Sequence, residues 1–458
     1  MTAPGAGRGL AAVSWGVVLP AALAQSLALT LGSWGYGYHR DELYFRMLPP
    51  AWGYVDQPPL VPFLARTLSG VVDEPWALRL PATLAAALSV ILVGLVTREL
   101  GAQHGEHHGQ PEGLVQGRGQ QDVAEHQRQG GEGVAPGGEG LCAALAVGIL
   151  ALGPRATLRS PWLWAGAGVA GLVALPNLAF QATHGWPQLA MGAALSENNA
   201  GEVRALALPL LLLMLGPVLA VVWGAGLVWL LRRERRAEVG FLAVAFGVLV
   251  AFTLASGAQP HYPVHLLSVV YAAGCVPVAA WLAPRTGWRR VAVAGLALNA
   301  AFSVVLALPV VPVGSVGATP LPDIGPLVAD QVGWPRYVAQ VADVYRSVPP
   351  GEQPVVITSN YGEAGALARF GPGLGLPRPL SGQNALYDTG RPAGGTDVVV
   401  MVGYQLRAVE QLFASCDVAA RLDNGVGVDN EEQDAPVAVC RGPVAPWSEL
   451  WPRFRHLD

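Results

Sequence analysis

Carboxylates concentrate in one short stretch of the chain. Residues 36–60 read YGYHRDELYFRMLPPAWGYVDQPPL, with Asp41 beside Glu42 and Asp56 shortly before a Pro-Pro pair. Adjacent carboxylates can divide labour, one accepting a proton while the other positions a donor or a cation. Prolines restrict the backbone, so the turn after Asp56 fixes the direction of that acid. The stretch therefore predicts acid–base chemistry.

The Asp-Glu pair also has a purely structural interpretation. Acidic side chains are favoured in the first turn of a helix, where they interact with its positive end. A lone pair of this kind is typical of such a helix start. Here His39, Arg40, several aromatic rings and the second acid Asp56 accompany the pair, and this company favours the chemical interpretation.

The composition places these residues at a membrane. Of 458 residues, 52% are hydrophobic and only 13% are charged, against about a quarter charged in soluble domains. The net charge is −4, which argues against a partner such as nucleic acid. The 28 basic residues are all Arg. Apolar runs of ~20 residues are long enough to cross a bilayer as helices, so the chain is expected to be polytopic.

Seven spans are predicted from the apolar runs. They are Leu10–Ser33, Leu80–Thr97, Pro161–Phe180, Leu206–Leu231, Gly240–Ala258, His265–Ala283 and Val291–Val311. Arginines flank alternate ends, and assigning those ends to the cytoplasm satisfies every basic cluster. The first loop then faces the outside. Because residues 10–34 are too long for the apolar core of a signal peptide, the first run is expected to remain as a span.

The segment 101–140 does not fit this pattern. It is rich in Gly, Gln and His and has no aromatic residue or apolar periodicity. It is interpreted as a disordered cytoplasmic loop or as a wrong-frame stretch of coding sequence, and the DNA across codons 98–142 would decide. A His-tract metal site is a weaker alternative, since the spacing matches no closed site. Residues 141–152 are then a partial helix.

The region 312–458 is predicted to be a soluble α/β domain outside the membrane. The patterns indicate helices at Trp334–Val348 and Glu410–Ser415 and strands at Pro354–Thr358, Asp397–Val402 and Val437–Cys440. A disulfide between Cys416 and Cys440 is compatible with the oxidising side, but their spacing leaves it open. Cys142 and Cys275, in or near apolar runs, are expected to be inert.

The first loop resembles that of a known family. HRDELYF with WGYVDQPPL is similar to the first outside loop of bacterial membrane glycosyltransferases of the GT-C fold, of the family 39 type related to protein O-mannosyltransferases and lipid A aminoarabinose transferases. The resemblance extends over most of the chain except 103–140. It implies a GT-C-like helical membrane region, 1–311, in which family members have additional spans where 101–140 stands.

The resemblance also implies roles for individual residues. Asp41 would be the catalytic base, with Glu42 as its neighbour, and Asp56 would occupy the second acidic position, which in related enzymes places acceptor, phosphate or a divalent metal. Independently of the resemblance, Arg40, Tyr54 and Gln57 are expected to contact substrate, Arg40 by stabilising the departing phosphate. The segment QPHYPV, 259–264, is similar to the family's lipid-phosphate segment, often K-P-x-Y, so that His261 and Tyr262 would replace the usual Lys.

Two further segments resemble the family. HGWPQL, 184–189, is similar to another outside loop, although aromatic anchoring at the membrane boundary explains it and 259–264 equally well. Residues 359–377 resemble the soluble domain of a subgroup, a lid or acceptor-binding module. In this stretch Asn360, Tyr361 and Glu363 are expected on a strand-to-helix loop, where α/β domains bind ligands. The Gly-rich tail lacks the G-K-S/T of a phosphate loop.

These observations predict a multi-pass plasma-membrane enzyme. It would move a sugar from a polyprenyl-phosphate donor to an extracytoplasmic protein, lipid or glycan acceptor, with inversion and without a covalent intermediate. No cofactor is certain, and a divalent metal at Asp56 stays open. The alternatives are a non-catalytic paralogue or defective product of the same family, and a transporter or flippase, which should show carboxylates or broken helices in mid-membrane.

Overall fold

The computed structural model describes residues 13–108, 134–324 and 326–457. The predicted start of the first span at Leu10 and most of the anomalous segment, 109–133, lie outside the described residues. The flanks 101–108 and 134–140 are helical.

Eleven labelled helices make up the first two thirds of the described chain. They are α1 (Trp15–Gly32), α2 (Arg40–Met47), α3 (Leu60–Val71), α4 (Pro75–His108), α5 (Val134–Leu152), α6 (Pro161–Thr183), α7 (Pro187–Met214), α8 (Ala220–Leu230), α9 (Gly240–Ser256), α10 (Val264–Leu282) and α11 (Thr286–Ala307). Their largest buried apolar cluster joins parts of α4, α5 and α7–α10.

Five described helices are long and apolar enough to cross a membrane: α1, α4, α6, α10 and α11. A sixth crossing is counted if α7 and α8 together form one bent span. Helix α9 is apolar but has only 17 residues. The prediction of a polytopic helical membrane protein is confirmed, although α4 and α7 are longer than the spans expected at those positions.

The apolar run Leu206–Leu231, predicted as one span, contains a sharp bend. The axes of its two halves differ by 87°. The break falls at Gly216, whose φ of 83° lies in the left-handed region, and is followed by Pro217, which cannot donate a backbone hydrogen bond. Asn299 of α11 donates from Nδ2 to the carbonyl of Leu215 at 3.0 Å. This bond satisfies a carbonyl that the interrupted helix leaves free.

The C-terminal region is an α/β domain, as predicted. Its helices are α12 (Trp334–Ser347) and α13 (Tyr361–Phe370), with single turns at Val313–Val316, Leu321–Ile324, Pro326–Ala329, Leu406–Val409 and Trp447–Leu450. Its strands are β1 (Val355–Thr358), β2 (Leu380–Ser381), β3 (Val398–Val402), β4 (Phe413–Arg421) and β5 (Pro436–Pro443), in the order β2-β1-β3-β5-β4. The first three are parallel, and β5 runs antiparallel to both β3 and β4.

One element of this domain was predicted wrongly. The helix expected at Glu410–Ser415 is a short 3-10 turn, Glu410–Leu412, and the edge strand β4 begins at Phe413. Most of β4 faces solvent, so its sequence lacks the apolar signal of a buried strand. A disulfide joins Cys416 of β4 to Cys440, its directly paired residue on β5. Cys142 and Cys275 are free.

The first-loop helix α2 packs against α13 of the C-terminal domain. The contact is close at Gly365, where an added Cβ would lie 2.6 Å from the backbone carbon of Leu43. Leu43 itself is fully buried. The helix that begins with the Asp-Glu pair is therefore enclosed between the membrane helices and the C-terminal domain.

Candidate active site

A capping box fixes the beginning of α2. His39 is the N-cap: its Nδ1 accepts a hydrogen bond from the backbone N–H of Asp41 at 3.3 Å. Its own N–H donates to Oε2 of Glu42 at 2.8 Å. Such reciprocal bonds satisfy N–H groups that the first turn of a helix leaves free. They also hold the acidic pair and the imidazole in one fixed arrangement.

Glu42 is occupied by structural contacts. Arg79 of α4 forms a forked ion pair with it, at 2.6 Å from Nε to Oε1 and 2.8 Å from Nη2 to Oε2. The same guanidinium donates to the carbonyls of Ser33 at 2.9 Å and Gly37 at 2.7 Å. A bidentate Arg–carboxylate pair is strong and directional. Of the two acids predicted at the catalytic position, Glu42 is thus the one that ties the loop to α4.

Asp41 has a different environment. It is 5% exposed, and its Oδ2 lies 3.6 Å from Nδ1 of His39. The other ring nitrogen, Nε2, lies 3.7 Å from Oδ2 of Asp330. In the described ranges no Arg lies within ion-pair distance of Asp41. Its neighbour is an imidazole, which can exchange a proton, rather than a permanently charged guanidinium.

The second acidic position is also buried. Tyr44 donates from its hydroxyl to Oδ2 of Asp56 at 2.6 Å. Burial raises the pKa of Asp56 to about 6, in the same direction as the charge of Asp41 and against the Tyr44 hydrogen bond. Asp41 and Asp56 therefore influence each other electrostatically, and Asp56 is poised to change its protonation near neutral pH.

The turn that contains Asp56, residues 54–57, is hydrogen-bonded to α6. The backbone N–H of Tyr54 donates to the carbonyl of Gln57 at 3.1 Å, and Gln57 is buried. Gln181 donates from Nε2 to the carbonyl of Tyr54 at 3.0 Å, and its Oε1 accepts from the N–H of Gln188 at 3.0 Å. The predicted outside loop 184–189 and the first loop thus meet at Gln181.

Arg40 faces the C-terminal domain. It pairs with Glu431, lies 3.9 Å from Glu432 (Nη2 to Oε1) and lies over the ring of Tyr361 at 4.9 Å from its centroid. Asn360 donates from Nδ2 to Glu431 at 3.2 Å and to Glu432 at 3.1 Å. For Arg40 to contact a leaving phosphate as expected, it would have to release these partners.

Sequence reasoning missed the acids that surround this group. Asp330, Glu431 and Glu432 were not singled out, although the Glu-Glu pair is visible in the sequence. Burial outweighs the Arg40 charge and raises the pKa of Glu432 to about 7. Glu363 was assigned to the loop after β1 and caps α13 together with Asn360. Burial raises the pKa of Glu363 well above its usual range.

The segment 259–264, which was also expected to contact the phosphate, differs from the charged residues around Arg40. His261 and Tyr262 lie just before α10, their rings edge to face at 5.2 Å. Burial, assisted by the nearby His265, lowers the pKa of His261 to about 4. The imidazole is therefore neutral at physiological pH, and it can act on a phosphate only as a hydrogen-bond donor.

The resemblance leaves open a divalent metal ion at Asp56, so the possible ligands of the site matter. In the part of the chain that the structure describes, no group of three or more His, Cys, Asp and Glu side chains is arranged to hold one. Asp56 has the Tyr44 hydroxyl as its near partner. The oxygen atoms that the structure shows around Asp56 are too few to bind a divalent cation. The mechanism proposed below therefore uses no metal ion.

Comparison with solved structures finds a likeness to ArnT from Cupriavidus metallidurans, crystallised in the apo state. The TM-score is 0.46 at 14% sequence identity, over 93% of this chain and 98% of ArnT. At this level the likeness by itself assigns no residue role. No protein-family model matches the chain, and no curated protein matches it.

Proposed function

We propose that this chain is a membrane glycosyltransferase of the GT-C type, using a polyprenyl-phosphate sugar and an extracytoplasmic acceptor. The observation that carries the proposal is the state of Asp41. It is a buried carboxylate at the start of a rigidly capped helix, with a neighbouring imidazole and without a neutralising guanidinium among the described residues. This is the environment of a general base, and it coincides with the acidic position of the first-loop motif.

The reaction is an inverting displacement. Asp41 accepts the proton of the acceptor hydroxyl or amine, the acceptor atom forms a bond to the anomeric carbon, and the bond from that carbon to the phosphate oxygen breaks. Polyprenyl phosphate leaves with the bonding electron pair. His261 and Tyr262 are the proposed donors to the departing phosphate, and Arg40 joins them if it separates from Glu431.

The proposal places the site outside the cytoplasm. The basic clusters put the first loop there, and α2 packs on the C-terminal domain, so both share one side. The disulfide between Cys416 and Cys440 supports the same side, because disulfides persist in oxidising compartments.

A transporter of lipid-linked sugars remains the second candidate, because one observation favours it. The 87° break between α7 and α8 is the kind of interrupted span that lines transporter sites. A non-catalytic paralogue is the third possibility, and it would have the same fold without turnover.

Membranes containing the full chain and a radiolabelled polyprenyl-phosphate sugar distinguish the enzyme from the other two candidates. Only the enzyme releases polyprenyl phosphate together with a glycosylated acceptor. We expect Asp41→Asn to lower the transfer rate by about 10²–10⁴-fold with unchanged expression. The matched control is Asp343→Asn, which changes an exposed carboxylate and should leave the rate unchanged. Normal turnover by Asp41→Asn would remove Asp41 from the catalytic role.

A further inference from the structure

We infer that His39 and Asp330 form a proton relay with Asp41, in which His39 removes the acceptor proton from Asp41 after transfer. The inference rests on the proposed function and adds two positioning residues to it. The resemblance implies a role for neither residue, although His39 is the first residue of the HRDELYF motif. Asp330 comes from the segment before α12, almost three hundred residues away in the sequence.

The geometry of His39 suggests the relay. Each ring nitrogen faces one carboxylate, Nδ1 towards Asp41 at 3.6 Å and Nε2 towards Asp330 at 3.7 Å. All three side chains are largely shielded from solvent. These separations exceed a hydrogen bond. A small approach of the ring or one bridging water would complete the path.

The backbone selects the resting tautomer of His39. Nδ1 accepts the N–H of Asp41, so the neutral ring carries its proton on Nε2, next to Asp330. When Asp41 has taken the acceptor proton, Nδ1 releases the N–H of Asp41, because it has only one lone pair, and accepts that proton from the carboxyl group. Asp41 returns to the carboxylate and His39 becomes an imidazolium with Asp330 as counter-ion. The net effect is transfer of one proton from Asp41 to His39.

The surrounding charges keep this imidazolium short-lived. His39 caps the N-terminus of α2, where the helix dipole disfavours a positive charge. Its negative neighbours are Asp41, Asp330 and Glu42, while Arg79 neutralises Glu42. Arg40 and Glu431 also act on Asp330 electrostatically. The two carboxylates therefore stabilise the charge and the helix end opposes it, and His39 releases the proton to water before the next turnover.

Two variants test the relay in full-length protein with a measured pH profile of kcat/KM. Asp330→Asn removes the counter-ion of the ring, so His39 becomes harder to protonate. The acid limb of the profile should move to lower pH by about 1 unit, the size expected for one charge at this range. His39→Asn keeps a good N-cap but cannot accept the proton. It should lose about 10–100-fold in kcat, with KM within about twofold.

The outcomes separate the relay from the proposed function. If Asp330→Asn folds but leaves the acid limb in place, or if His39→Asn keeps the kcat of the unaltered protein, the relay is wrong while the base role of Asp41 stands. A merely structural role would lower activity equally at every pH, and that result also overturns the relay. If the unaltered protein makes no glycosylated product, or if Asp41→Asn is fully active, the proposed function itself fails.

Discussion

The first loop and the segment 259–264 both contain His, Tyr, Gln and Pro, but only the first loop also contains acids and arginines. The two also have different surroundings in the structure. In the first loop, Glu42 is paired with Arg79 and Arg40 with Glu431, and Asp56 accepts from Tyr44. In the segment 259–264, His261 lies against Tyr262 and is held neutral by burial.

The difference indicates that the first loop positions groups for proton transfer, whereas the segment 259–264 is suited to contact with the phosphate. Charged partners from α4 and from the C-terminal domain hold the first loop from two sides, so its geometry is preorganised for proton transfer. The segment before α10 has no comparable charged partner among the described residues. It is suited to hydrogen bonding with a phosphate, not to neutralising one.

The ion pair between Arg79 and Glu42 gives the largest expected effect. Arg79→Gln leaves the Glu42 carboxylate largely buried without its partner, and we expect a loss of about 3–5 kcal/mol in the free energy of unfolding. Unfolding in mixed micelles measures it. The matched control is Arg336→Gln, whose pair with Asp423 is exposed and should contribute little to the free energy of unfolding. Equal effects would show that the first loop is not held by its ion pair.

The buried acid Glu432 gives the next largest effect, through pH. Its pKa is raised from 4.5 to about 7, so the folded chain retains this proton where the unfolded chain has released it. Its stabilising contribution is complete below pH 4.5 and is lost as the pH rises through 7, by about 1–3 kcal/mol. Glu432→Gln should flatten the decrease in melting temperature between pH 5 and 8. Because the pKa of Asp56 is raised in the same direction, Asp56 should maintain part of this decrease in the variant.

Glu431, the neighbour of Glu432, serves as a control because its pKa is shifted in the opposite direction. Burial opposes the ionisation of Glu431, but the charge and hydrogen bond of Arg40, together with the hydrogen bond from Asn360, outweigh it and lower the pKa of Glu431. Its contribution is therefore present at neutral pH and lost as the pH falls. Because the charge of Glu431 helps to raise the pKa of Glu432, Glu431→Gln should flatten the decrease between pH 5 and 8 less than Glu432→Gln does. A flattening equal to that of Glu432→Gln would contradict the assignment.

His261 gives the smallest expected effect. Because its ring is neutral, His261→Asn removes at most one hydrogen bond to the donor phosphate, and we expect the KM for the lipid-linked sugar to rise by less than about tenfold. The change should be the same at pH 5.5 and pH 8, since the ring does not titrate in that range. A large rise confined to the lower pH would mean that a charged His261 binds the phosphate, and the contrast between the two regions would fail.

Several features were accessible from residue patterns alone. The membrane class follows from long apolar runs, because only helices can satisfy the backbone in a bilayer. The alternation of short β-branched runs with an amphipathic helix predicted the α/β domain. The edge strand β4 escaped because its exposed face has no apolar periodicity, and the break at Gly216 escaped because hydropathy averages over it.

The candidate site was likewise predictable from the sequence only in part. The sequence by itself singled out Asp41, Glu42 and Asp56, because carboxylates beside prolines and aromatic rings stand out between apolar helices. Only the tertiary structure decided that Glu42 belongs to Arg79 and that Asp330 faces His39. Residues so far apart in the chain meet only because α2 packs between the membrane helices and α13, and an ionisable group's behaviour depends on such neighbours.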